Sequence, residues 1–319
     1  IRDGKIEKVG RYIKIPLDAY EIDMDGSNIY AGFIDGWFEV KKDEKVESPD
    51  EHWNDKIRAA YRAKDDLKIS EKDLRSLHSI GITSAHVVPE KGIFKGKSDL
   101  VILNDELTSI SKDVSQVLEF KASRWSDRIY PNSLLGVIAV MRQTFLDASW
   151  YHRSLDIIKK YPSENKPLPL NPSLHEIGNF MKNKHPILFI TKEEHGAIRS
   201  LNIANEFNLK PWILGSGYEY RRLETIKKHK PFIIFPLEFP EKPQVRDPNI
   251  ALQFTNEQLK HWDMAPDNIK RAFDAGLRFS FTSGTLKNKT HIIDLVNKLY
   301  PTPALLGYCL LYTSDAADE

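Results

Sequence analysis

The chain has 319 residues, of which 41% are hydrophobic and 29% are charged, and its formal net charge is +1 at pH 7. This composition is typical of a globular protein with one large domain or two small ones. The near-neutral charge gives no electrostatic footprint for nucleic acid. No stretch approaches the ~18 apolar residues of a membrane-spanning helix. A basic cluster formed by Lys91, Lys95 and Lys97 is interpreted as a solvated face.

The two ends of the sequence require separate treatment. Residues 309–319 resemble the translation of a sequencing adapter and contain the only cysteine, Cys309. We therefore expect this tail to be non-native, and the chain up to Tyr308 to have no disulfide and no cysteine nucleophile or metal ligand. The sequence opens in mid-pattern without an initial Met, so we expect it to be an internal fragment. Its cellular location cannot be assigned.

The first 28 residues are predicted to form short antiparallel strands. Apolar and polar residues alternate from Ile1 to Asp25, and turn signals occur at Asp3-Gly4 and Asp25-Gly26. Glycine after aspartate is a common hairpin turn. This segment is therefore expected to be a small β-structure that precedes the main domain.

From Ile29 onward, apolar runs alternate with helical patterns, which indicates an α/β protein built of parallel βα units. The predicted strands are Ile29–Ile34, Ile82–Val88, Leu100–Leu103, Val117–Phe120, Ile187–Ile190, Trp212–Leu214, Phe232–Phe235 and Arg278–Phe281. The predicted helices are Asp50–Ala63, Glu71–Ile80, Leu134–Lys160, Ser173–Asn183, Glu193–Phe207, Tyr218–His229, Asn256–Ala275 and Thr290–Leu299. Eight of each match a (β/α)8 barrel. The helical segment near 131–160 is long for one barrel unit and is predicted to be an insertion.

One run carries a family resemblance. Ile29-Tyr30-Ala31-Gly32-Phe33-Ile34-Asp35-Gly36-Trp37-Phe38-Glu39 resembles the first barrel strand of the amidohydrolase superfamily, the metal-dependent hydrolases related to imidazolonepropionase and dihydroorotase. In that family the strand reads roughly Pro-Gly-Phe-Ile-Asp-x-His-x-His. The stretch from Gly81 to Ser98 resembles the family's Gly-Val-Thr-Thr strand and the glycine-rich loop after it. The resemblance implies part of a β-sandwich at residues 1–28, a (β/α)8 barrel at residues 29–308, and hydrolysis of non-peptide C–N bonds.

The resemblance also implies where metal ligands belong. In the family, strand one supplies two histidines, strands five and six supply one each, and strand eight supplies an aspartate that moves the proton. The matching positions here hold Trp37, Glu39, Thr191, Gly215 and Thr282; the strand-four position cannot be placed. An indole or a glycine cannot ligate zinc, and a lone carboxylate does not make a zinc site. We therefore predict a degenerate metal site with no bound cofactor, where the family norm is zinc or another divalent metal.

Other side chains near the predicted strand ends offer alternatives. A rearranged single-metal site formed by Glu39, His86 and His195 is one. A pocket that includes His86, His195, Ser216 and Tyr218 is another. The turn Gly215-Ser216-Gly217, between a strand and a helix, is suited to present backbone amides to an anion. Trp37 is expected to point into the barrel on the same side as Glu39, where it fills the space of a metal and its water.

Three functions remain open from the sequence. The first is an amidohydrolase-like barrel that is catalytically degenerate, a pseudoenzyme fragment. The second is a working C–N hydrolase with the rearranged site. The third is a non-catalytic module that binds a small molecule or acts as a scaffold in a larger protein. We also expect a longer chain to complete the sandwich and to carry a second amidohydrolase module as partner.

Overall fold

The computed structural model describes residues 1, 6–26, 31–41, 52–124, 126, 130–164, 166–244 and 248–284. The chain divides into two units, Ile1–Ala31 and Gly32–Glu319. The tail at residues 309–319 and the helix predicted at Thr290–Leu299 lie outside the described residues.

In the first unit, residues 6–26 contain no β-strand, although antiparallel strands are predicted there. Tyr12 and Leu17 are fully exposed, so these side chains bury no apolar surface. An isolated pair of strands is marginal in water unless a further strand or a helix covers its apolar face. The alternating pattern by itself therefore does not produce a sheet in this segment.

The second unit contains one eight-stranded sheet whose strands follow one another in chain order. They are β1 (Phe33–Val40), β2 (Ile82–Pro89), β3 (Phe94–Ile102), β4 (Ser109–Glu119), β5 (Pro186–Ile190), β6 (Lys210–Leu214), β7 (Phe232–Pro236) and β8 (Arg278–Thr282). The first and last strands lie side by side, since the Thr282 hydroxyl oxygen on β8 lies 3.1 Å from the Trp37 carbonyl oxygen on β1. The sheet is thus a nearly closed barrel, and the predicted α/β barrel class is confirmed.

The helices lie between the strands and flank the sheet. They are α1 (Glu71–Ser79), α2 (Leu134–Lys160), α3 (Pro172–Lys182), α4 (Glu194–Glu206), α5 (Leu223–Ile226), α6 (Pro248–Ala251), α7 (Asn256–Met264) and α8 (Asn268–Asp274). The first four agree with prediction to within one residue, and α2 has the predicted bounds. Within the described residues, no helix is both long and apolar enough to cross a lipid bilayer.

Several predicted elements differ in extent or type. Strands β3 and β4 begin earlier than predicted, the helix predicted at Tyr218–His229 is a short α5 between two 3-10 turns, and the helix predicted at Asn256–Ala275 is divided into α7 and α8. The first strand runs from Phe33 to Val40 rather than ending at Ile34, because Trp37 and Val40 extend the buried pattern beyond Gly36. No helix forms over residues 52–62 of the predicted Asp50–Ala63 helix; only a 3-10 turn follows, at Ala63–Asp66. That segment instead bridges to the start of β3, where Ile57 pairs with Phe94.

Strand β3 departs from the predicted parallel scheme, because it runs antiparallel to both β2 and β4. Only four residues separate Pro89 from Phe94. A parallel crossover needs a dozen or more residues, so this connection permits only a hairpin-like reversal. As a result, the beginning of β3 lies at the same end of the barrel as the carboxyl ends of the parallel strands.

The barrel has a filled interior and an outer layer. Seven buried side chains from β1, β2 and β4–β7 contact one another, and residues from six strands can meet only inside the barrel; they are Trp37, Val88, Val117, Leu188, Ile190, Leu214 and Ile234. The alternate residues Ile187, Phe189 and Ile213 belong to the outer core beneath α2–α4. This two-residue alternation directs the inner set into the barrel, except where register shifts interrupt β1 and β3.

A β-bulge in β3 turns Lys95 into the barrel. Phe94 pairs with Leu118 and Gly96 pairs with Val117, so Lys95 is an extra residue with no partner of its own in the ladder. Gly96 makes this possible: its φ is +128°, and a Cβ there would overlap the Tyr61 carbonyl oxygen and lie 3.1 Å from the Arg58 carbonyl oxygen. Bulges of this kind re-aim a side chain at the cost of one ladder bond.

We expect Gly96→Ala to lower the free energy of unfolding by about 2 to 3 kcal/mol, since the backbone strain alone costs a non-glycine residue ~1–3 kcal/mol and the new methyl also overlaps backbone. Gly217→Ala is the matched control, because its φ is +85° but nothing lies within 4 Å of the new methyl. Gly217→Ala should lower the free energy of unfolding by only about 1 kcal/mol. Urea denaturation followed by circular dichroism measures both. Equal losses would show that the close approach to Tyr61 has no consequence.

Candidate functional site

A row of alternating charges crosses the mouth of the barrel. The Lys95 ammonium lies 3.3 Å from a Glu39 carboxylate oxygen and 2.9 Å from a Glu119 carboxylate oxygen. The Lys192 ammonium lies 3.5 Å from the other oxygen of Glu119. Lys95 is 2% exposed, whereas Glu39 and Lys192 are 41% and 78% exposed. The row therefore has a buried centre and two solvent-accessible ends of opposite sign.

Four elements position this row. Glu39 is near the end of β1, Glu119 ends β4, and Lys192 follows β5, so these three lie at the carboxyl ends of parallel strands. Lys95 reaches the same end because β3 is reversed and bulged. Its ammonium also lies 5.8 Å from the centre of the Trp37 ring, a distance that allows a cation–π contact.

The electrostatics of the row stabilise Glu119 as an anion. Burial alone raises the pKa of Glu119, but the charge of Lys95 and its hydrogen bond, helped by Lys121 and Lys192, outweigh burial and hold the pKa below its usual value. A buried ammonium in turn requires carboxylate partners, since an unpaired buried charge is strongly unfavourable. Lys95 and Glu119 thus depend on each other.

The solvated face inferred for Lys91, Lys95 and Lys97 was wrong for two of its members. Lys95 is buried as described, and Lys97 is 8% exposed with its ammonium 3.2 Å from a Glu176 carboxylate oxygen. The ion-pair partners of Lys95 and Lys97 come from β1, β4 and α3 and are distant in the sequence. A run of basic residues indicates a solvated surface only where no acidic side chain from another part of the fold pairs with it.

Trp37 lies in the barrel interior, as predicted from strand alternation. It is 6% exposed and packs among the seven inner core residues. The other four positions matched to family ligands are satisfied within the protein. Thr191 donates to the Leu214 carbonyl at 2.7 Å, and Thr282 donates to an Asp35 carboxylate oxygen at 2.6 Å. Gly215 is buried in the backbone ladder, and Glu39 pairs with Lys95.

His86 is buried inside the barrel with both ring nitrogens engaged. Its Nδ1 lies 3.1 Å from the Gly36 carbonyl oxygen, which can only accept, so Nδ1 carries the proton. Its Nε2 accepts from the Ser98 hydroxyl at 2.7 Å, and Ser98 in turn contacts Ser115. Burial lowers the pKa of His86 to about 4, although the Gly36 hydrogen bond and the charge of Asp99 oppose that shift.

The structure does not bring Glu39, His86 and His195 together as a metal site. His195 is 55% exposed and lies 3.7 Å from a Glu194 carboxylate oxygen. Across the described ranges, no group of three or more His, Cys, Asp or Glu side chains is arranged to hold a metal ion. The strand-end residues therefore do not fit the divalent metal that the family resemblance implies. An ammonium already lies between the two carboxylates that face each other across the mouth.

The turn after β6 binds an anion that belongs to the protein. The Glu219 carboxylate, fully buried, accepts from the Ser216 amide at 2.6 Å and the Gly217 amide at 3.1 Å. It also accepts from the Ser216 hydroxyl at 3.0 Å and the Asn268 side-chain amide at 2.8 Å. The amides expected to receive an external anion are thus occupied by an internal carboxylate.

Tyr218 belongs to a different cluster from His86, His195 and Ser216. Its ring stacks on His261 with centroids 3.8 Å apart, and the Arg221 guanidinium lies 4.5 Å from its ring centre. The four side chains grouped from the sequence therefore occupy separate environments: barrel interior, exposed helix start, internal turn and aromatic rim.

A solved structure is similar to this fold. The crystal structure of an amidohydrolase from Thermotoga maritima MSB8 matches with a TM-score of 0.69 at 17% sequence identity, over 97% of this chain and 81% of that chain. No protein-family model matches the chain, and no curated protein is significantly similar to it in sequence. At this identity the likeness shows the fold alone, an α/β barrel of eight strands.

We expect Lys95→Met to lower the free energy of unfolding by about 3 to 5 kcal/mol, because Glu119 would be left buried and charged without its partner. The exposed Lys192→Met, on the other side of Glu119, should change it by less than about 0.5 kcal/mol. Adding Glu119→Gln to Lys95→Met should recover part of the loss. Urea unfolding of the wild type, Lys95→Met, Glu119→Gln and the double variant gives the coupling energy, and strictly additive losses would contradict a direct Lys95–Glu119 interaction.

The neutral state of His86 should make stability depend on pH. The unfolded ring takes up a proton below about pH 6.5, but the folded ring resists protonation down to about 4. The contribution of the neutral His86 ring to the free energy of unfolding is therefore fully present above pH 6.5. It is lost as pH falls toward 4, by roughly 3 kcal/mol at 1.36 kcal/mol per pH unit.

Urea unfolding at several pH values between 7 and 4.5 tests this dependence. His86→Gln should be less stable than the wild type at pH 7 but lose less stability on acidification. His195→Gln, at an exposed position, should follow the wild-type slope. Parallel curves for the wild type and His86→Gln would contradict the assignment of a buried neutral ring.

Proposed function

We propose that this chain is an amidohydrolase-like barrel that does not carry out metal-dependent hydrolysis and instead binds a small polar molecule at its mouth. The observation that carries the proposal is the Lys95 ammonium between Glu39 and Glu119, at 3.3 and 2.9 Å. These carboxylates are the oxygen donors that a divalent cation at this mouth would need. A second cation beside the ammonium would be repelled.

The packing of Trp37 supports the same conclusion. Its indole fills the inner core beside Lys95, at the strand-one position where the family resemblance implies a histidine ligand. Hydrolysis by a metal-bound hydroxide needs an open coordination position with room for water. A packed indole and a paired ammonium leave no such position at the end of β1.

Binding is supported by the ends of the charged row. The Glu39 carboxylate and the Lys192 ammonium are both accessible to solvent, and the buried centre between them is neutralised. Fixed charges of opposite sign at a barrel mouth suit a small molecule that carries both a cationic and an anionic group. In a longer protein, such a module would serve as a substrate-shaping or structural partner of a second, metal-bearing barrel.

The rival hydrolase with a single metal at Glu39, His86 and His195 has less support. The Nε2 lone pair of His86 accepts the Ser98 hydroxyl, and His195 lies on an exposed helix turn beside Glu194. Recruiting the three side chains would break the buried His86–Ser98 bond and separate Glu39 from Lys95. No described contact favours that rearrangement.

Metal content tests the proposal directly. The full chain, produced in medium supplemented with zinc, manganese and iron, should contain well under one equivalent of any of them by elemental analysis. Its thermal midpoint should not rise with added zinc, because a ligand that binds only the folded state would raise it. Near-stoichiometric metal that is lost in Glu39→Gln but retained in the exposed Glu224→Gln would overturn the proposal in favour of the rearranged site.

A further inference from the structure

A cavity lies at the rim of the barrel, apart from the charged row. It has a volume of about 300 Å³ and is formed by the turn after β6, the segment after β7 and α7. These turns follow the carboxyl ends of neighbouring strands, which is where barrels of this class place their ligand sites. The volume is at the lower end of the range for small-molecule pockets.

The walls of this rim cavity are aromatic. Tyr218 and His261 form a stacked pair, and Phe254, just before α7, and Trp262, on α7, line the same cavity. Trp262 is 38% exposed, so its ring is accessible to a ligand. Burial and the charge of Arg221 lower the pKa of His261, which favours an uncharged ring in the wall.

The charge of the cavity is acidic once its internal pairs are counted. Arg221 is committed to the protein: it donates to Glu257 at 2.7 Å, lies 3.5 Å from Glu194 and donates to the Tyr220 hydroxyl at 3.3 Å. Its guanidinium plane is also near the Tyr218 ring. Glu241 lines the same cavity, and no described residue forms an ion pair with it. One cation therefore faces two lining carboxylates, with a third behind it.

These features distinguish between ligand classes. An anion would meet Glu241 and Glu257 and would have to break an existing ion pair to reach Arg221. A neutral apolar molecule would gain from the rings but would desolvate a carboxylate without compensation. A compact organic cation gains from both, since aromatic faces attract cations and a carboxylate neutralises them.

We propose that this rim cavity is a binding site for a small organic cation of the substituted-ammonium class. The aliphatic body of the ligand contacts Phe254 and Trp262, and its charge lies between the ring faces and Glu241. The site is independent of the charged row, because the two share no side chain.

Ligand-observed NMR titration of the full chain tests this proposal with choline, its neutral isostere 3,3-dimethylbutan-1-ol, and acetate as the anion. Choline should bind saturably and more tightly than the other two. Trp262→Leu and Glu241→Gln should each weaken choline binding about tenfold, the effect of one cation–π or ionic contact. Trp150→Leu, at an exposed tryptophan on α2, and Glu224→Gln should have no effect.

Two outcomes would overturn the inference. Equal binding of choline and its neutral isostere would show that charge is not recognised, and equal effects of Trp262→Leu and Trp150→Leu would show non-specific association. Circular dichroism confirms that the variants remain folded. Because metal content is measured separately, failure here would leave the proposal for the barrel mouth intact, and the reverse also holds.

Discussion

The buried ammonium of Lys95 is the interaction on which the barrel mouth depends. It joins β1 to β4 through Glu39 and Glu119, although those strands are separated by β2 and β3 in the sheet. Its position requires three other features: the reversal of β3, the bulge at Lys95, and a glycine at residue 96 next to the Tyr61 backbone. A change at any of them would leave charged groups buried without partners, so the local backbone and the electrostatics of the mouth are a single constraint.

Much of the fold could be predicted because the strands and helices follow from the local pattern of apolar residues. Strands β5 and β7 are short apolar runs, and α2 has both a serine N-cap, Ser133, and an uninterrupted helical pattern. The direction of β3 could not be read this way, because a parallel and an antiparallel strand have the same period of two. The connection is short enough to force a reversal only because β3 begins at Phe94, before the predicted start at Leu100.

The site was harder to predict than the fold for a physical reason. Family resemblance directs attention to positions where ligands belong, and it correctly singled out Trp37 as an interior residue. It offers no information on the other side chains that meet at the barrel mouth, such as Lys95, Glu119 and Lys192. Lys95 reads as a solvated lysine in its own segment, and only contacts with residues 24 and 56 positions away in the chain make it a buried one.

The functional face of the barrel is largely satisfied by its own side chains. Where an external cation would be held between carboxylates, the protein supplies Lys95; where a glycine turn would receive an external anion, it supplies Glu219. Lys95 and Glu219 each neutralise, from within the protein, a site where an external ion of the same charge could otherwise bind. Solvent-accessible groups remain at the exposed ends of the charged row and at the acidic aromatic rim, and these are the places where we propose that ligands bind.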